Sequence, residues 1–285
     1  IMNAIFIVLD KIGIPNVGLC IILFTLIMYG LMTPLTYKQQ KFSKLSQRMN
    51  PELQAIQAKY KNKKDQVSMQ KMNDETRAIY DKYGVSPTGS CVQLLITMPV
   101  LFALYRVIYA IPAYVSKIGD TYRVLADKII SFDNAKFLQN SGIESINKVI
   151  NQYGQELTKG ENISNGVIDV ISKISSSDLY TISDKYDLSK LTYNSQLIIS
   201  KIDTNGKILE RGLLDTYNNF LGLNIGDSPS HIITTAWTNV NGIQWGLIIG
   251  ALLIPILAAL SQWINTKLMP QPSDNKGNSQ ADTMN

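Results

Sequence analysis

Histidine and cysteine are nearly absent from this 285-residue chain: His231 stands alone, and Cys20 and Cys91 are the only thiols. That poverty excludes a zinc framework, which needs paired ligands at fixed spacing, and a disulfide scaffold. Catalytic signatures are missing too. There is no Walker loop, no pair of zinc-binding histidines and no Gly-x-Ser-x-Gly elbow, so neither a metal nor a cofactor is expected and the chain does not read as an enzyme. A single histidine in a polar segment reads as a surface residue.

Charge is missing where it matters most. No charged residue lies between Lys11 and Lys38, between Lys82 and Arg106, or from Ile243 until Lys267, and each of these runs is dominated by Leu, Ile, Val and Met. A helix needs about 20 such residues to cross roughly 30 Å of hydrocarbon. Three crossings are therefore expected, each containing a proline (Pro34, Pro99, Pro255), and Pro34 should bend the first. Trp245 and Trp263 bracket the third like interfacial anchors. Arg106 lies about 27 Å along its helix from the inner end, which puts it at the outer interface, where it can snorkel.

What is present between the runs sets the orientation. From Lys38 to Tyr83 there are eleven Lys and Arg residues against five Asp and Glu, whereas the segment from Lys117 to Asp227 is slightly acidic. By the positive-inside rule the basic segment is cytoplasmic, the acidic one external and the N-terminus outside. Most of the net charge of +5 sits in that loop, which argues against DNA as a partner and suits a ribosome or anionic lipid headgroups. Cys20 and Cys91 then fall near opposite faces of the membrane and read as packing residues.

The chain divides into a candidate interfacial helix (1–13), a first span (14–37), a basic cytoplasmic helical hairpin (38–87), a second span (88–114), a long extracellular segment (115–240), a third span (241–267) and a polar cytoplasmic tail (268–285). In the hairpin, Leu53, Ile56 and Tyr60 share one face. After a turn at Lys61–Asp65, Met69, Met72, Thr76, Ile79 and Tyr83 share another, and Gly84 and Pro87 supply a stop. These faces are expected to pack together; Met49, Met69 and Met72 would also suit a surface that accepts varied apolar partners. In the external segment, Ile143–Ile150 and Leu213–Leu221 suggest helix, and Ser175–Asp178 reads as a turn. No internal repeat is evident.

The spans carry uncharged polar residues on shared faces: Thr25, Tyr29 and Thr33 in the first, Ser90, Gln93 and Thr97 in the second, Ser261, Gln262 and Asn265 in the third. Most fall in the cytoplasmic half, where they suit a partly hydrated groove. The plainer alternative is that they tie helices together or bond to their own backbone.

Several short motifs now add up. Thr25-Leu26 with Pro34-Leu35, then Tyr83-Gly84-Val85-Ser86-Pro87, Gly89-Ser90-Cys91, Met98-Pro99, Phe220-Leu221-Gly222-Leu223 and Ile254-Pro255-Ile256-Leu257-Ala258 occur in an order that resembles the bacterial YidC-type membrane protein insertases, over about 18–105 and 220–269. The resemblance implies an all-α integral membrane protein with a five-span core, a cytoplasmic hairpin and a hydrophilic groove closed toward the outside. It implies an insertase and chaperone of the plasma membrane that acts on nascent membrane proteins, alone or with the Sec translocon. The polar faces of the spans supply the expected groove residues, Thr25, Tyr29, Thr33, Gln93, Thr97 and Ser261. The family commonly holds an arginine where this chain has Tyr29, and often a glutamine where it has Thr97, so a neutral, hydrogen-bonding groove is expected. With three spans where the resemblance leads to five, and Ile1 at its start, the sequence reads as a fragment. A channel or transporter subunit, and a scaffold for the external segment, are the competing functions.

Overall fold

The computed structural model of the protein describes residues 1–61, 65–84, 89–159, 162–203, 208–239 and 242–268. The expected turn at Lys61–Asp65, the stop at Pro87 and the polar tail over 268–285 fall wholly or partly outside the described residues. The described chain is mostly helical. In order its helices are α1 (Met2–Lys11), α2 (Val17–Tyr60), α3 (Gln66–Lys82), α4 (Gly89–Tyr109), α5 (Ile111–Tyr114), α6 (Ser116–Asp133) and α7 (Lys136–Gln139). There follow α8 (Glu144–Tyr153), α9 (Gln155–Lys159), α10 (Ile163–Ile171), α11 (Ser176–Tyr186), α12 (Leu213–Asn218), α13 (Pro229–Trp237) and α14 (Trp245–Leu268). Between α11 and α13 lie three short antiparallel pairs: β1 (Thr192–Tyr193) with β2 (Gln196–Leu197), β3 (Lys201–Ile202) with β4 (Ile208–Glu210), and β5 (Asn219–Phe220) with β6 (Leu223–Asn224). Contacts divide the chain into two units, one of residues 1–28 and 103–257, the other of 29–102 and 258–285.

The first unit is built around α6. Its Ile118, Tyr122, Leu125, Ala126 and Ile129 recur at helical spacing, and all are buried. Val167, Val170 and Ile171 of α10, Ile146 and Ile150 of α8, and Ile182 and Tyr186 of α11 join the same core. Gly166 allows α10 to approach α9, since a Cβ there would lie 2.7 Å from Leu157 Cα. The Tyr186 hydroxyl donates to Asp133 Oδ1 at 3.1 Å and accepts from the Leu138 amide at 3.0 Å, so this fully buried ring has its polar end satisfied.

Ser175–Asp178 is not a turn but the start of a helix. Ser175 caps α11, its hydroxyl accepting from the Asp178 amide at 3.1 Å. A serine followed three residues later by an acid satisfies the orphan amides of a first turn, the capping chemistry that the run of serines concealed. Helix does form at Glu144–Tyr153, but the one expected through Leu221 ends at Asn218, because Asn219 and Phe220 pair with β6. Leu221 (φ 53°) and Gly222 (φ 85°) make the two-residue turn with positive φ at both positions that a tight hairpin requires.

The N-terminal segment forms α1, and one of its apolar faces is turned into protein. Met2, Phe6 and Leu9 share a face and are buried in the core of the first unit, with Phe6 edge-on to Tyr217 at 5.5 Å. Asp10 pairs with Lys117 at 2.7 Å. Ile7, Val8 and Ile12 are the residues left exposed. The entry to α2 is fixed by Asn16, whose Oδ1 accepts from the Leu19 amide at 3.0 Å while its Nδ2 donates to Asn219 O at 2.6 Å. Gly18 lets the Phe220 ring lie against the helix: a Cβ there would fall 2.6 Å from Phe220 Cγ.

In the second unit, α2 continues without a break through Pro34 and Pro51 to Tyr60. Its 44 residues amount to about 66 Å, twice the hydrocarbon thickness, so the first span and the first arm of the hairpin are one helix. The arms are clasped reciprocally. Glu75 on α3 accepts from Lys59 Nζ at 2.6 Å and Tyr60 OH at 2.9 Å, and Glu52 on α2 accepts from Lys82 Nζ at 2.9 Å and Tyr83 OH at 2.7 Å. The sequence does hold an internal repeat: Glu52-x-x-Ala55-Ile56-x-x-Lys59-Tyr60 recurs as Glu75-x-x-Ala78-Ile79-x-x-Lys82-Tyr83. Its period is hidden by the turn between the copies, and its function becomes visible only when the arms lie antiparallel.

The clasps make the hairpin sensitive to acid. Hydrogen bonds from Lys82 and then Tyr83 hold the Glu52 carboxyl below its usual range, and those from Lys59 and then Tyr60 do the same for Glu75. A carboxyl depressed on folding stabilises the fold above its unfolded pKa and loses that contribution as pH falls through its folded one. Spin labels at Ala55 and Ala78 should therefore keep one distance near neutral pH and show a wider distribution once acid has protonated the two depressed carboxylates. Glu52→Gln with Glu75→Gln should give the wider distribution already at neutral pH.

Candidate functional site

Among the described residues two helices are long and apolar enough to cross a membrane, Val17–Ser46 within α2 and Trp245–Leu268, while α4 offers a shorter apolar stretch over Leu95–Tyr109. From Leu252 to Leu268 every residue of α14 is exposed, and Leu253, Ile254, Ile256, Leu257, Leu260 and Ile264 leave it no polar side along most of its length. Leu26 and Leu31 of α2 and Leu95, Leu101 and Phe102 of α4 are likewise exposed. A helix that is apolar all round and uncovered needs an apolar medium or further helices against it.

The groove residues expected from the sequence lie on those helices. Tyr29 and Thr33 lie on α2, Gln93 and Thr97 on α4, and Ser261 on α14, all in the second unit, while Thr25 belongs to the first. Tyr29 is 73% exposed, and Thr33, Thr97 and Ser261 are exposed as well. Thr33 Oγ1 donates to Tyr29 O at 2.8 Å, and Thr25 Oγ1 to Ile21 O at 2.9 Å. Their donors are thus used by their own helix, as the plainer alternative has it, although each hydroxyl oxygen can still accept. Among the described residues the side chains of Tyr29, Thr97 and Ser261 make no hydrogen bond, although the Tyr29 carbonyl accepts from Thr33. The side chains of Ser90, Cys91 and Gln93 lie outside the described residues. Cys20 is buried and free.

On the hairpin, Leu53 and Ile56 are half-buried and Tyr60 buried on one arm; Met72 and Thr76 are half-buried and Ile79 buried on the other. Of the three methionines, Met49 is buried, Met72 half-buried and Met69 exposed.

Polar groups that sequence reasoning missed gather in the first unit. Asp215 accepts from Tyr180 OH at 3.0 Å and from Ser200 Oγ, which itself accepts from the Gly212 amide at 2.7 Å. Burial and then the Asp215 carboxylate push the Tyr180 phenol well above its usual range. His231 Nε2 lies 3.4 Å from Ser177 Oγ, but the nearby Asp227 is engaged by the Ser176 amide at 2.8 Å and by its hydroxyl, so no nucleophile–base–acid relay is assembled. Among the described residues no group of His, Cys, Asp and Glu is placed to hold a metal.

The family model of the 60Kd inner membrane protein matches residues 8–202. It thus covers all of the first stretch of resemblance and runs on past residue 115, leaving 220–269 outside. Over 95 residues the chain is 37% identical to the membrane protein insertase YidC of Fusobacterium nucleatum and 39% to that of Oceanobacillus iheyensis, matches covering 33% of this chain and 44% and 37% of those relatives. A 109-residue match to the membrane protein insertase YidC of Helicobacter pylori is 34% identical and covers 38% of this chain and 19% of that protein. The chain thus matches less than half the length of each of these relatives, and no solved structure matches it. A family model spanning well over half of the residues makes this chain a member of the 60Kd inner membrane protein family, that of the YidC-type insertases.

Proposed function

We propose that the chain is an insertase and chaperone for nascent membrane proteins in the bacterial plasma membrane, working alone or with the Sec translocon. The observation that carries this reading is the uncovered apolar flank of α2, α4 and α14 interrupted by a few wettable side chains. The spans are 14–37, 88–114 and 241–267; the basic hairpin faces the cytoplasm, where a ribosome and anionic headgroups can meet it, and the N-terminus and the 115–240 domain lie outside. The exposed Met69 side of the hairpin offers an adaptable apolar contact to emerging segments.

Tyr29, Thr33, Gln93, Thr97 and Ser261, with Thr25 toward the outer end, line a cleft open to the cytoplasm. Each unsatisfied polar group in hydrocarbon costs several kcal/mol, and water held in the cleft removes much of that barrier for the polar part of a client. Once the client's apolar part reaches lipid, burial at about 25 cal/mol per Å² drives it in, with no covalent step. Since Tyr29 stands where the family resemblance leads one to expect an arginine, recognition in this reading rests on neutral hydrogen bonding and not on a fixed charge.

Photo-crosslinkers at Tyr29 and Gln93 should form adducts with a stalled nascent membrane protein, and one at Leu31, on another side of α2, should not. Absence of adducts at all three, together with ion conductance in vesicles, would establish a channel instead.

A further inference from the structure

A half-open cavity of about 380 Å³ lies in the first unit where the start of α2 meets the end of α4 and the external helices. Val17, Ile21, Ile111, Pro112, Ile118 and Ile225 give it an apolar side, and Ser172, Lys173 and Asn218 a polar one. Lys173 is held with care. Its ammonium stands 3.5 Å from the centre of the Tyr109 ring and 5.2 Å from that of Tyr153, and donates to the Tyr109 carbonyl. No carboxylate forms an ion pair with it among the described residues. Burial pulls its pKa below the usual lysine range, with Asp169 opposing; Asp169 lies off the cavity lining, and burial and then Glu156 push its own carboxyl up.

We propose that this cavity binds a phosphate-bearing amphiphile, the phosphate on Lys173 with Ser172 and Asn218 beside it, and the adjoining glycerol and chain roots on the apolar side. A half-buried cation without an anion, in an open cavity of ligand size, is incompletely compensated, and a phosphate oxygen supplies the missing acceptor. The apolar side continues along the first turns of α2, so an anionic lipid of the outer leaflet can place its headgroup there and leave its chains in the bilayer. That source rests on the membrane reading given above.

The full chain would be reconstituted in phosphatidylcholine nanodiscs with or without phosphatidylglycerol, and in phosphatidylcholine with inorganic phosphate in the buffer. Retained lipid would be read by native mass spectrometry, and unfolding temperature in parallel. Both lipids carry the phosphate, but the choline of phosphatidylcholine brings a second cation toward Lys173, so wild type should retain phosphatidylglycerol roughly tenfold over phosphatidylcholine. Lys173→Gln and Lys173→Met, the latter keeping the stem against the rings, should lose the preference; Lys173→Arg and the surface control Lys190→Gln should keep it. Stabilisation by inorganic phosphate alone, lost in Lys173→Gln, would support the phosphate chemistry and assign it a soluble source. Equal retention by wild type and both uncharged variants, each melting normally in phosphatidylcholine, would overturn the site. Failure of the chain to enter nanodiscs at all would strike the membrane reading and the lipid source with it.

Discussion

Phe6→Ala should destabilise the first unit by about 3–5 kcal/mol, although the residue lies far in sequence from most of that unit. The ring is fully buried and edge-on to Tyr217, itself buried, among residues contributed by α1, the start of α2 and α12. Truncation leaves a cavity that Met2 and Leu9 cannot fill without moving the whole helix. Ile12→Ala, at a residue 65% exposed, should change stability by less than about 0.5 kcal/mol. Denaturant unfolding in detergent, followed by protease resistance of the 115–240 segment, separates the two. Equal effects would mean that α1 is not part of the core.

Asp215→Ala should cost about 2–5 kcal/mol by the same measurement, because it strands two donors at once, the Tyr180 hydroxyl and the buried Ser200 hydroxyl. Asp215→Asn keeps one acceptor oxygen and should cost roughly half as much. Tyr180→Phe combined with Asp215→Ala should be less harmful than the sum of the two single changes, since removing both partners leaves fewer unpaired groups.

The parts of this molecule legible in its sequence are those that obey a period or a charge rule. Ile14–Tyr37 and Ile243–Leu260 announce long apolar helices, and the faces Leu53–Ile56–Tyr60 and Met72–Thr76–Ile79 announce the hairpin. The first unit is hard to read from sequence for a physical reason. Its helices are short and its core is shared among many of them, so each contributes only two or three apolar residues. The pattern Ile118, Tyr122, Leu125, Ala126, Ile129 was available but lay among charged, exposed neighbours. The fate of the Met2–Phe6–Leu9 face depended on a partner, Tyr217, more than 200 residues away, and no local signal distinguishes a protein core from a lipid surface for such a face. Polar networks such as Asp215 with Tyr180 and Ser200 have no period at all and emerge only from the fold. For the groove the sequence named residue types and helix faces. Whether Thr25 and Thr33 would spend their hydroxyl protons on their own helix is a rotamer choice that residue spacing does not encode.

The proposed passage for client segments depends on water reaching one side of the spans and not the other. In a variant with both native cysteines replaced, single cysteines at Tyr29, Thr97, Leu31 and Leu95 can be challenged in inside-out vesicles with a membrane-impermeant maleimide. Tyr29→Cys and Thr97→Cys should react quickly, while Leu31→Cys and Leu95→Cys, exposed in the protein but facing acyl chains in the membrane, should stay unmodified. Labelling of all four at similar rates, or of none, would contradict a wet cleft on that side.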